Sequence, residues 1–129
     1  TTHAANAYAT MRKLITCAME SGPHVTMELA ASKLADTIDF VVQMRCEIVR
    51  NTRPGTVGRK VRRVSEILAV ETGEDNKRYS LTSVFRSVKG QYGVADTPPP
   101  QPVLEALIEN GFDYAGFLAE AEANPRRQP

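Results

Sequence analysis

Apolar side chains recur at three- and four-residue intervals almost from the start of the chain: Ala4, Tyr8, Met11, Ile15 and Ala18, with Leu14 beside them. That spacing predicts an amphipathic helix over 4–21, stopped by Gly22-Pro23. Thr26 is placed to cap a second helix reaching Asp36, with Leu29, Ala30 and Leu34 turned inward. The period then changes to two. Ile38, Phe40, Val42, Met44, Cys46 and Ile48 alternate with mostly polar residues, the pattern of a strand that lays one face on the core. Arg53-Pro54-Gly55 and Gly58 mark a turn, and 59–70 reads as the returning strand. Its apolar phase slips between Val61 and Val64, which predicts a bulge or an edge position. A second turn over 72–76 leads to a third strand over 79–86, and the three should form an antiparallel meander.

Beyond these strands the texture changes. Thr97-Pro98-Pro99-Pro100-Gln101-Pro102 reads as a semi-rigid, extended spacer. After it, Leu104, Leu107 and Ile108, then Phe112, Phe117 and Leu118, predict one helix or two short ones broken near Gly111, and residues 124–129 should fray. The division is therefore a main portion over 1–96, a spacer over 97–102 and a helical tail over 103–129. The visible pattern is α+β.

Composition adds bounds rather than detail. The chain has 129 residues, 42% of them hydrophobic and 24% charged, enough for one compact core. A formal charge of +1 gives no global pull toward nucleic acid or membrane. No apolar run reaches the roughly 20 residues that span a bilayer. Cys17 and Cys46 lack framework spacing and read as reduced, half-buried thiols of a cytosolic protein. The helical pattern begins at once, without an initiator Met, as in a piece of a longer protein.

Chemistry-bearing motifs are scarce. There is no G-x-x-x-x-G-K-[ST] loop, no G-x-G-x-x-G, and no His or Cys pair at metal-ligand spacing. His3 precedes a helix, where it could meet a phosphate oxygen beside backbone N–H groups or simply be a terminal histidine without a role. His24 reads as a solvated turn residue. Arg59, Lys60, Arg62 and Arg63 could bind phosphates or an acidic partner, or could blunt an exposed strand edge. Glu66 could pair with a nearby arginine or serve as a site carboxylate. Met11, Met19, Met27 and Met44 read as core filling.

The order of segments carries more than any one residue. Thr1-Thr2-His3-Ala4-Ala5-Asn6, followed by Met11-Arg12-Lys13-Leu14, resembles the histidine box of the type II/type IV secretion ATPases. The segment 35–43 is similar to that family's Ala-x-x-Ile/Val-Asp-Leu-Val-Val strand. Residues 58–67 resemble its Gly-Arg-Arg-x-Val-Thr-Glu-Ile strand, and 80–86 its Leu-x-Asp-Leu-Phe segment. Gly111-Phe112-Asp113 looks like the branch that drives tight-adherence (Flp-type) pilus assembly. Ala5, Tyr8, Thr10 and Lys13 depart from the usual box and first helix.

The resemblance implies an α/β fold, the C-terminal part of a RecA-like P-loop domain. It implies ATP hydrolysis with Mg²⁺ in a cytoplasmic ring, usually a hexamer, peripheral to the inner face of the membrane. Its partners would be inner-membrane secretion or pilus platform proteins, with no DNA expected. The phosphate-binding loop would precede Thr1, His3 would sense the γ-phosphate region, and this chain alone would hold no ATP, Mg²⁺ or other cofactor and catalyse nothing. Two other readings stand beside it: a non-catalytic α/β interaction module, and a small nucleic-acid-binding domain using the 59–63 strand.

Overall fold

In the computed structural model, which describes residues 1–49, 58–73, 78–87 and 93–124, the chain runs helix, helix, four strands, helix, helix. Asn6 decides where the first helix starts. Its backbone is extended and its side-chain oxygen accepts from the Ala9 N–H at 2.8 Å, so α1 spans Ala7–Met19 rather than beginning at Ala4. The buried stripe of α1 is Ala7, Thr10, Met11 and Ile15, with Leu14 and Ala18 at its margin. Tyr8 falls off the stripe and is exposed.

Thr26 caps α2 (Met27–Ala35) through the Leu29 N–H, with Glu28 in the first turn and Lys33 in the last, each charge suited to its end of the helix dipole. Ala30, Ala31 and Ala35 are the buried face of α2 and Leu34 packs beside them. Leu29 points outward instead, because a nine-residue helix with three alanines on one side sits close to its neighbours on that side.

Strands β1 (Phe40–Val49), β2 (Arg59–Thr72), β3 (Tyr79–Ser87) and β4 (Gly93–Ala95) form one antiparallel sheet in the order β1-β2-β3-β4. The meander is as the sequence predicts, with a fourth strand added. The turns over 50–57 and 74–77 lie outside the described residues. β2 carries a bulge, as expected, but one residue beyond the predicted slip, since the register from Val61 to Val64 is unbroken. Gln43 pairs with Glu66 and Met44 with Val64, so Ser65 is the extra residue and donates its hydroxyl to the Gln43 carbonyl at 3.2 Å.

Layers lie on both sides of the sheet. On one side α1 and α2 cover Val41, Leu68 and Val70, with Met11 and Leu68 fully buried. Burying either side chain is worth about 1.5–3 kcal/mol. On the other side α4 (Tyr114–Glu122) places Phe117 and Ala121 over Ala69, Val84 and Ala95. Phe117 meets the Phe85 ring edge-on at 5.3 Å. Ala95 is held twice, its N–H donating to Glu120 and its carbonyl accepting from Asn124. Asn124 is therefore buried and fixed rather than frayed, and residues 125–129 are outside the described set.

The spacer also ends earlier than its prolines suggest. Gln101 and Pro102 already belong to α3 (Gln101–Glu109), since proline suits the first turn of a helix, where its missing N–H costs nothing. Gly111, at φ +89°, turns the chain from α3 toward α4 as the sequence predicts.

Two-sided covering corrects the reading of β1. Phe40 and Val41 point to opposite faces and each joins a core cluster. Beyond them the strand runs past both helical layers, and its alternating apolar row faces outward, with Val42 52%, Met44 53% and Ile48 64% exposed. The methionines divide likewise. Met11 is core, whereas Met19, Met27 and Met44 are exposed. Cys17 and Cys46 are free thiols, both exposed rather than half-buried. Among the described residues no helix is long and apolar enough to cross a membrane.

Candidate functional site

His3 lies three residues before the Asn6 cap, at the lip of a cleft of about 740 Å³ between the start of the chain and the first half of β1. Thr1, Thr2 and His3 form one wall and Phe40, Val42 and Met44 the other. Lys13, nearly two turns into α1, donates its ammonium to the His3 carbonyl at 2.7 Å, which ties the segment to the flank of the helix. The imidazole is exposed. The first turn of α1 holds no acidic residue, and its Ala9 N–H is taken by the Asn6 side chain.

On the other side of the α1 start, a smaller cavity of about 290 Å³ is lined by Asn6, Gln43, Arg45, Ser65, Glu66 and Arg86. Glu66 and Arg86 are cross-strand partners on β2 and β3. Their Oε1 and Nε stand 3.8 Å apart, the Glu66 side chain only 14% exposed. Arg86 also donates through Nη2 to the Tyr8 hydroxyl at 3.2 Å. Glu66 is thus an ion-pair residue, its partner supplied by β3 rather than by the basic run beside it in sequence. Nothing in the sequence pattern near Glu66 signals this, since the register that brings Arg86 across is a property of the folded sheet.

The other candidates scatter. His24 is exposed in the turn between α1 and α2. Arg59, Lys60, Arg62 and Arg63 occupy the first half of β2, away from His3. A third, apolar groove of about 700 Å³ runs between the two helices and β3, lined by Ile15, Met19, Met27, Ala31, Tyr79 and Leu81. Among the described residues no group of three or more His, Cys, Asp or Glu could hold a metal ion. The cleft brings His3 together with Thr1, Thr2 and Thr10, residue types whose side chains can hydrogen-bond a polar ligand. It does not by itself assemble a nucleophile with a base.

Comparison with protein-family models, with curated proteins and with solved structures finds no match to this chain. The sheet and helices are those of a mixed α/β protein with a four-stranded antiparallel sheet.

Proposed function

We propose that the chain is the C-terminal part of the RecA-like domain of an ATP-driven secretion or pilus-assembly motor, with His3 acting on the γ-phosphate region. The observation that carries this reading is the placement of the resembling segments. The histidine segment leads directly into α1, 35–43 crosses from α2 into β1, 58–67 lies on β2 and 80–86 on β3. The first and second of these segments meet across the His3 cleft, and the second and third pair strand to strand. The first turn of α1 carries no acidic side chain that would oppose an anionic ligand near His3.

In such a motor the phosphate-binding loop, the Mg²⁺ ligands and the parallel strands of the sheet come from sequence outside these 129 residues. ATP is held between subunits of a ring, and catalysis rests on positioning and charge stabilisation of the transferred phosphoryl group. His3 donates a hydrogen bond where negative charge accumulates. The ring works at the inner face of the membrane against platform proteins.

The test is kinetic. In a protein that carries this segment together with a phosphate-binding loop, His3→Ala should lower kcat by about 10²-fold or more while ATP binding stays within a small factor. An unchanged kcat would remove His3 from the chemistry. The 129-residue chain alone should show no ATP turnover, and turnover that survives removal of contaminants contradicts the reading.

A further inference from the structure

Among the described residues β3 pairs with β2 from Glu66 to Thr72, whereas β1 follows β2 out to the Val49–Arg59 pair. Met44–Val49 and Arg59–Val64 therefore extend as a two-stranded ribbon beyond β3, about 20 Å long at the usual rise per residue. Register assigns the faces. Met44, Cys46 and Ile48 share one with Val64, Arg62 and Lys60. Arg45, Glu47 and Val49 share the other with Arg63, Val61 and Arg59.

The ribbon holds five cations, Arg45, Arg59, Lys60, Arg62 and Arg63, and one acid, Glu47. Removing these from the chain's 16 basic and 15 acidic residues leaves 11 and 14, so a ribbon of net charge +4 projects from a remainder of −3. The near-zero total hides a strong separation of charge. An exposed strand edge can be protected by charges of either sign, so a five-to-one excess of one sign asks for another cause.

We propose that this ribbon binds double-stranded DNA, entering the major groove and meeting phosphates on both walls. The major groove, about 12 Å wide, admits a two-stranded ribbon. Exposed cations stand on both faces, Lys60 and Arg62 on one, Arg45 and Arg59 on the other, which suits a groove with two charged walls. A flat anionic bilayer would engage one face and leave the other idle. The proposal stands on the ribbon alone and does not rest on the motor reading.

The experiment is anisotropy of a labelled 20-base-pair duplex titrated with the 129-residue chain at 50 and 200 mM salt. Four phosphate contacts, from Arg45, Arg59, Lys60 and Arg62, should cost roughly 150-fold in affinity over that range, through counterion release. Lys60→Gln/Arg62→Gln and Arg45→Gln/Arg59→Gln, on opposite faces, should each flatten the log–log salt slope by about 1.8. Each pair should also weaken binding at 50 mM about tenfold or more. Lys33→Gln on α2 should stay within about twofold of the unsubstituted chain, as a lone surface charge away from the interface. No binding at 50 mM salt and tens of micromolar protein overturns the proposal. So does an equal loss from Lys33→Gln, or a loss from one face only accompanied by binding to phosphatidylglycerol vesicles.

Discussion

Asn6 shows how one side chain can set both a helix boundary and the neighbourhood of a site. Its carboxamide takes the Ala9 N–H, which leaves His3 outside the helix and on the wall of the cleft. Asn6→Ala should cost about 1 kcal/mol, and Asn6→Asp should restore most of it, both read from chemical denaturation. The methionines give a sharper contrast, because four residues of one type sit in different surroundings. Met11→Ala should cost about 2–5 kcal/mol, since it empties a fully buried position, whereas Met27→Ala, at a residue 62% exposed, should stay within about 0.5 kcal/mol. Equal losses at the two sites would contradict the assignment of the core.

At the scale of the element, local signals are written where local chemistry decides. The Thr26 cap, the break at Gly111 and the three long strands are legible because a cap, a positive φ or a period of two needs only neighbours in sequence. What the sequence leaves open is which side of a strand meets the core. The even row of β1 is the more apolar, yet Val41 is the residue that reaches the core beneath α1, because helices cover both sides of the sheet and neither layer extends over Val42, Met44 and Ile48. The three-residue strand β4 carries too short a pattern to announce itself.

Helix α4 offers a test where propensity and capping pull in opposite directions. Gly116 lies in its first turn, where a Cβ would collide with the carboxylate of Asp113 that caps the Gly116 N–H. Gly116→Ala should therefore fail to deliver the roughly 1 kcal/mol that alanine normally adds inside a helix, and should destabilise by a similar amount through loss of the cap. A gain in thermal midpoint would contradict this. The site was legible in part. That His3 stands ahead of a helix follows from sequence order, though the helix starts at Ala7 rather than Ala4, whereas the Glu66–Arg86 pair and the Tyr8–Arg86 bond depend on register and on a helix packed over the sheet.

At the scale of the whole molecule, the two functional proposals use separate regions. The His3 cleft lies beside the start of α1 and the first half of β1, the cationic ribbon is built from the second half of β1 and the first half of β2, and the two share Met44 but none of the ribbon's cations. Substitutions in one should leave the other intact. Lys60→Gln/Arg62→Gln should not alter any nucleotide-dependent property of a longer protein that carries this segment, and His3→Ala should not alter the salt slope of duplex binding.

The motor reading is the central functional claim, and the coding sequence upstream of Thr1 tests it most directly. Reading that frame should reveal a G-x-x-x-x-G-K-[ST] loop followed by acidic segments, in frame and at the distance of one RecA-like core. A stop codon or a start codon immediately before Thr1 would contradict the claim and leave a free-standing α/β module.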